Sequence, residues 1–268
     1  MIDKELVHRR FSRALGTYSG NASVQADTAV KLLAMLPERQ WSRIFEIGCA
    51  DGLLTRMLLG LDSAGRSGIE QNSTGRSGFE KFFVNDLCEE SAAYISDVLE
   101  SGAEFIPGDA ETIVFPENID LLISASTIQW MTDLKSFLAK CASCLVPGGV
   151  MALSTFGPEN LREIRRITGE GLDYYDVETL KVLLPESVEL VAIEQELVVE
   201  HFPSPFDVLR HLKLTGVNSL SGRRWSKSSL EAFVADYNSL STNPSGKVPL
   251  TFHPIRLIGV NGNRPKWQ

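Results

Sequence analysis

Four cysteines and four histidines in 268 residues leave little from which to build a disulfide framework or a metal centre. Cys49, Cys88, Cys141 and Cys144 are too few and too scattered for a disulfide scaffold, which points to a reducing, cytoplasmic compartment. Cys141 and Cys144 form a C-x-x-C, but inside a helical pattern, "LKSFLAKCASCL", with no second pair to complete a site. No metal is therefore expected. No apolar run approaches the roughly 20 residues that span a bilayer. The opening "MIDKELVHRRFSRAL" is charged and amphipathic, without the apolar core of a signal peptide. Positive charge is the scarcer sign: 26 Lys and Arg against 34 Asp and Glu give a net charge of −8. Neither nucleic acid nor a membrane surface is served by such a balance, and an acidic partner would need a local basic patch. A hydrophobic content of 43% is ordinary and suffices for one large domain with a buried core.

Strand-like apolar runs alternate with helical patterns through the first 155 residues, as in a parallel sheet covered by helices. A helical region over about 4–36 precedes the strand "RIFEI", a turn, and the helix "LLTRMLLG". Residues 60–81 contain GRSG twice and have the composition of a flexible loop. The pattern then gives a strand "FFVND", a helix over about 88–101, strands in "AEFIPGDAE" and "IDLLISAS", and the helix "LKSFLAKCASCLV". Pro-Gly-Gly breaks that helix and opens a fifth strand, "PGGVMALSTF". Helical "NLREIRRITGEG" and "DVETLKVLL" precede one long strand, "VELVAIEQELVVEHF". A helical insert over 204–240 separates it from a last strand, "VPLTFHPIRLIGV". The expectation is a single domain: a helical cap over 1–36, an α/β core over 40–155, and a C-terminal part over 156–268 that supplies an antiparallel sheet edge.

The chemistry concentrates in "FEIGCADG". Gly48 and Gly52 let a ligand approach the backbone closely after the first strand. The dinucleotide fingerprint needs glycines at i, i+2 and i+5, and counting from Gly48 the chain offers Ala50 and Leu53. Glu46 would repel a pyrophosphate and welcome a cation. A ligand carrying an amino group and a sulfonium fits this turn better than a nicotinamide dinucleotide. Asp86, ending "FFVND", is placed to accept ribose hydroxyls. Asp109, in "PGDAE", is placed to accept an exocyclic amine, with the Ala110 amide beside it. Each aspartate alone would pass for a helix cap or turn residue, but acids at three successive strand ends are harder to explain that way.

"FEIGCADG", "FFVNDL", "PGDAE" and "LVPGGVMALSTF" together resemble the successive motifs of class I S-adenosylmethionine-dependent methyltransferases over residues 40–155. The resemblance implies a Rossmann-like, seven-stranded, mostly parallel sheet. It implies a cofactor held by Glu46, Gly48, Cys49, Ala50, Gly52, Asp86, Leu87, Asp109, Ala110, Glu111 and Ser126. Ala50 stands where the family most often has glycine, and a slight narrowing of the turn is expected. Across nearly the whole chain, "RRFSRALGTYSGNASVQ", "ASTIQWMTDL" and "FPSPFDVLRHLKLTGVN" resemble the malonyl-acyl-carrier-protein O-methyltransferase family of biotin synthesis. Such enzymes esterify the free carboxylate of a malonyl thioester, which disguises the chain for elongation by fatty-acid enzymes.

The residues agree with a carboxylate acceptor, which is ionised at pH 7 and needs no general base. No Ser-His-Asp-like spacing stands out. By similarity to other carboxyl methyltransferases, Trp130 and Gln25 would donate to the two acceptor oxygens, and Tyr18 would set its ring near the sulfonium. The insert would cover the acceptor. Docking of an acidic carrier protein would use Arg9, Arg10 and Arg13; Arg162, Arg165 and Arg166; Arg210, His211 and Lys213; or Arg223, Arg224 and Lys227. Residues 162, 165 and 166 would share one helix face. Carrier protein and coenzyme A both remain open as the malonyl carrier. A different small carboxylic acid as acceptor, and a non-catalytic assembly role on the same fold, also remain open.

Overall fold

The computed structural model describes residues 2–60, 79–217, 226–240 and 246–262. Most of the glycine- and serine-rich loop, and Arg223 and Arg224, lie outside the described residues. Two helices, α1 (Lys4–Ala14) and α2 (Ser23–Ala34), lead into β1 (Arg43–Ile47), α3 (Leu53–Leu59) and β2 (Lys81–Asp86). Then come α4 (Ser91–Tyr94), α5 (Ser96–Glu100), β3 (Glu104–Pro107), β4 (Ile119–Ser124), α6 (Leu134–Ser143) and β5 (Leu145–Phe156). The C-terminal part holds α7 (Arg162–Thr168), α8 (Val177–Leu183), β6 (Val188–Gln195), β7 (Val198–Phe202), α9 (Pro205–Leu214), α10 (Lys227–Asn238), β8 (Val248–Phe252) and β9 (Pro254–Asn261).

Seven strands form one sheet in the order β3-β2-β1-β4-β5-β9-β6. The first five run parallel, and β9 is antiparallel to both of its neighbours. Alternation along the central strands divides the core in two, because successive side chains point to opposite faces. Ile44, Phe82 and Leu121 pack under α2, α3 and α5, whereas Phe45, Phe83 and Leu122 pack under α6 and α8. Burial on both faces explains the near-continuous apolar runs. A third cluster joins α7, α9, α10, β7 and β8 to Val24 of α2 and Phe156 of β5.

Four expectations need correction. The helix over 88–101 is two short helices, broken at the fully buried Ile95. Strand β5 begins at Leu145, so Pro-Gly-Gly lies within it; the bulge this entails appears as a register shift against β4. "VELVAIEQELVVEHF" is two strands in different sheets, and "VPLTFHPIRLIGV" likewise divides at His253. The breaks face one another: Gln195 and His253 share a hydrogen bond of 3.0 Å, and Arg256 (2.7 Å) and Lys31 (2.9 Å) hold the Glu196 carboxylate. Strand-forming residues continue on both sides of each corner, which hides them, although the alternation itself breaks at Glu194–Glu196 and at Pro254. The outer strands β7 and β8 form a separate two-stranded sheet that carries the third cluster. No helix among the described residues is long and apolar enough to cross a membrane.

Candidate active site

Beyond β1 the chain turns through three left-handed residues, Gly48 (φ 79), Ala50 (φ 49) and Gly52 (φ 85), into α3. Neighbouring strand ends hold the turn in place. The Gly48 and Cys49 amides donate to the Asn85 carbonyl at 2.8 and 2.9 Å, and the Ala50 amide donates to Asp86 Oδ2 at 2.8 Å. Asn85 Nδ2 donates to the carbonyls of Ile106 and Gly108, and Ser124 Oγ donates to the Ile47 carbonyl. Three loops are thereby tied edge to edge.

Ala50 does not narrow the turn so much as strain it. An L-alanine in the left-handed region costs about 1–2 kcal/mol, of which glycine's freer unfolded chain would offset about 0.4–1. Ala50→Gly is expected to raise Tm by roughly 2–4 °C, the change for about 1 kcal/mol in a chain of this size. A lower Tm would contradict this account of the turn.

The turn opens on two adjoining chambers that share Tyr18, Gly48, Ala50, Ala125 and Ser126. The smaller contains Gln25, Glu46 and Asp51, with no Lys or Arg among its lining residues. Glu46 lies inside β1, 1% exposed, with no hydrogen-bond partner for either carboxylate oxygen. Burial pushes its carboxyl up to about 8; the nearby Thr55 hydroxyl opposes this rise and Asp86 adds to it. Asp51 accepts from the amide (3.0 Å) and the hydroxyl of Ser19, leaving Oδ1 unpartnered. Two buried carboxyls with free lone pairs and no cation between them make a receptor for a positive group.

The larger chamber holds Asp86, Leu87, Asp109, Ala110 and Trp130, roofed by Lys4, Val7 and Phe11 of α1. Asp86 accepts the Ala50 and Cys88 amides, one on each oxygen, and keeps further lone pairs; burial raises its pKa, and these two bonds oppose the rise. It is a turn brace as well as a candidate ligand. Asp109 Oδ1 accepts from the Glu111 amide and from Lys4, both at 3.0 Å. Trp130, in a single 3₁₀ turn over Ile128–Trp130, packs edge-on against Phe11, with ring centroids 5.5 Å apart and Nε1 unpartnered. Burial, with Asp51 and Asp86 nearby, raises the Tyr18 phenol well above its ordinary pKa, so it stays protonated at neutral pH.

Other expected site residues are placed differently. Gln25 lines the Glu46 chamber, while Trp130 lines the adjoining one. Glu111 lines neither chamber; its carboxylate accepts the amides of Thr132 and Asp133 and meets Lys4 at 2.7 Å. Cys49 lines the small chamber but packs in the core under α2 and α3, and burial drives its thiol well up. Ser126, at φ 56, borders both chambers with its hydroxyl unpartnered. No described residue of the insert lines either chamber. Instead α9 backs the N-terminal helices: Thr17 Oγ1 donates to the Leu214 carbonyl, and a Cβ at Gly216 would lie 3.0 Å from Phe11.

The basic clusters also sort themselves. Arg165 turns inward onto the carbonyls of Pro158 and Asn160, and Arg162 pairs with Glu159 and Glu163, leaving Arg166 alone on that face. His211 is buried between Phe202 and Phe252. Arg210 and Lys213 are exposed and have no partner among the described residues. His8 and, from the loop after β2, Cys88 and Glu90 bring potential metal-ligand atoms within 4.8 Å of one another. Burial pushes the Cys88 thiol up to about 12. Sequence reasoning misses Asp51, Ser19 and Lys4. Asp51 is visible inside the turn, whereas only tertiary contact brings Ser19 and Lys4 to the site.

The arrangement suits the cation-bearing nucleoside that the sequence motifs imply. The unpartnered buried atoms of Gln25, Glu46, Asp51, Ser126 and Trp130 all belong to chamber-lining residues, and the glycine turn keeps its backbone bare. A family model described as a methyltransferase domain matches residues 45–153. The chain is 34% identical to the malonyl-[acyl-carrier protein] O-methyltransferase of Bacteroides helcogenes, over 97% of this chain and 99% of that protein. Its counterpart in Haemophilus influenzae is 34% identical, over 96% and 94% respectively. The Bacteroides fragilis counterpart is 38% identical over 95% of this chain, which spans 50% of that longer protein. Among solved structures, a methyltransferase-like protein of Bacillus halodurans superposes with a TM-score of 0.59 at 14% identity, covering 87% of this chain and 98% of that one. The N-methyltransferase NodS of Bradyrhizobium japonicum, solved with S-adenosyl-L-homocysteine, gives 0.53 at 13% identity, covering 95% and 98%. At such identities the structural likeness is one of fold.

Proposed function

The chain belongs to the malonyl-[acyl-carrier protein] O-methyltransferase family, and from that membership we propose that it methylates the free carboxylate of a malonyl thioester. The methyl donor is S-adenosylmethionine, and the malonyl group rides on acyl carrier protein or on coenzyme A. The product is the malonyl methyl ester that starts pimeloyl synthesis for biotin. The observation that carries this reading is the collection of unpartnered buried polar atoms around one pair of adjoining chambers.

When bound, S-adenosylmethionine supplies a methyl group made electrophilic by its sulfonium. Glu46 and Asp51 would hold the ammonium of its amino-acid end, and the Gln25 amide joins them there. Gly48, Ala50 and Gly52 leave the backbone open to its close approach, with Cys49 packed behind. Asp86 would take the ribose hydroxyls on its remaining lone pairs. Asp109 Oδ2 and the Ala110 amide would meet the adenine edge, and Leu87 would lie against the base. Ser126, between the chambers, would cap the donor beside the Tyr18 ring. Glu111 would serve this site by holding the loop after Trp130 and the ammonium of Lys4.

For the acceptor, Trp130 Nε1 has a proton to give and no protein partner, so it would orient one carboxylate oxygen. No group has to remove a proton, since malonyl carboxylate is already an anion. That agrees with a Tyr18 phenol locked in its protonated form. The chain's contribution is alignment and exclusion of water, which α1 provides by roofing the chamber. Exposed Arg210 and Lys213, together with Arg166, Arg13 and Lys227, would supply cations for an acidic carrier protein.

The test is growth. A biotin-requiring strain lacking its own malonyl methyltransferase should grow without biotin when it carries this gene, and growth should fail with Trp130→Ala. Failure of the unaltered gene, made as soluble protein, would contradict the proposal.

A further inference from the structure

A second cavity, of about 380 Å³, adjoins the cofactor chamber and shares Val7, Trp130 and Met131 with it. That volume falls within the roughly 300–1,000 Å³ of small-molecule sites. One wall is α1 with Ile2 and Leu6, and the opposite wall is the stretch from Gly171 to Tyr175 between α7 and α8. None of these residues has a part in holding the donor.

We propose that this cavity receives the pantetheine arm of the malonyl thioester, delivering the carboxylate to Trp130 at the border with the cofactor chamber. The inference rests on the malonyl thioester as acceptor and names where its carrier arm runs. The chemistry of the walls selects the guest. Apolar and polar side chains are mixed, and the charge leans acidic: Asp3 and Asp173 line the cavity with a single cation, Arg10, which also feels the field of Glu170. Such a lining does not favour a phosphate or a nucleotide inside the cavity. It suits a flexible, neutral chain that carries amides. Gln129 lines it with its Oε1 buried and unpartnered, while its Nε2 donates to the Ser126 carbonyl at 2.6 Å. An amide N–H of the arm is the complement of that oxygen. The unpartnered Nε1 of Trp130 then stands at the junction, where the arm ends and the carboxylate begins.

The test compares three malonyl thioesters in methyl transfer: on acyl carrier protein, on pantetheine, and on N-acetylcysteamine, which keeps only the last amide. Leu172→Trp fills the cavity from one wall and Leu6→Trp from the other. Either variant should raise KM at least roughly tenfold for the two long thioesters, as expected when a site for part of the ligand is lost. KM for the N-acetylcysteamine thioester should stay within about twofold, and so should S-adenosylhomocysteine affinity, which also reports that the variant is folded. Equal effects on all three thioesters, or no effect on any, would overturn the assignment. So would turnover of free malonate or of a long-chain carboxylic acid that the same variants block, because the cavity would then serve another guest. If the unaltered enzyme methylates none of the thioesters, the malonyl reading itself fails, a result distinct from failure of the arm's route.

Discussion

Glu46→Gln should abolish or severely weaken binding of S-adenosylhomocysteine while making the ligand-free protein more stable at pH 8. The two effects have one cause. Glu46 is fully buried with both oxygens unpartnered, and burial lifts its pKa from 4.5 to about 8. A carboxyl whose folded pKa lies above its unfolded value keeps its proton longer in the folded state. It costs nothing below the unfolded pKa, and it erodes stability as pH rises from about 4.5 to about 8. The loss is on the order of a few kcal/mol, since every tenfold change in proton affinity is worth about 1.4 kcal/mol. Glutamine does not titrate, so the variant should match the wild type at pH 5 and exceed it in Tm at pH 8. A cationic ligand reverses the balance by pairing with the ionised form. Wild-type affinity should therefore rise toward pH 8, by at most about tenfold per pH unit. The variant should bind at least about 30-fold more weakly, the lower end for loss of a desolvated charge pair. Scanning calorimetry at the two pH values and titration with S-adenosylhomocysteine read both effects. Undiminished binding by the variant would remove Glu46 from the site.

Gly48→Ala carries the largest expected cost in stability. A Cβ there would overlap Thr127 Oγ1 and lie 2.6 and 2.8 Å from Thr127 Cγ2 and Cβ, at a φ of 79. The left-handed backbone alone is tolerable, as Ala50 demonstrates at φ 49. The overlap is not. Overpacking adds about 1–3 kcal/mol to about 1–2 for the backbone, so Tm should fall by roughly 10 °C. Gly48 borders both chambers, so the folded fraction should also lose S-adenosylhomocysteine binding. Adding Thr127→Ala removes Oγ1 and Cγ2 and should restore part of the Tm, with the clash against Cβ and the backbone cost remaining. A Gly48→Ala protein within 2 °C of wild type, measured by thermal scan, would show that the turn has room the structure denies it.

The glycine turn and its acids are legible because their logic is local: an apolar strand, a residue forced left-handed, and a carboxylate at the next strand end. The parallel core is legible for the same reason, through runs such as "DLLIS" that are apolar on both faces. Legibility stops where contacts are long-range. Nothing near Arg165 in sequence announces that it will turn onto main-chain carbonyls. The corner at His253 is easily missed because strand-forming residues flank it on both sides, and only Pro254 and the end of the alternation mark where the strand leaves one sheet for another. Similarity assigns Gln25 to the acceptor. Its helix, α2, sets it in the wall of the chamber that holds Glu46, and no cue in the sequence announces that place. Lys4 and Phe11 reach the site through long-range contacts: Lys4 pairs with Asp109 and Glu111, Phe11 packs on Trp130, and α9 packs against α1.

The central claim is met most directly by the mass of the acceptor. Malonyl-acyl carrier protein incubated with this enzyme and S-adenosylmethionine should gain the mass of one methylene on its malonyl group, with the thioester intact. Acetyl-acyl carrier protein, which lacks the free carboxylate, should gain nothing. An unchanged malonyl group in the presence of enzyme shown to bind S-adenosylhomocysteine, or equal labelling of the acetyl form, would contradict the account.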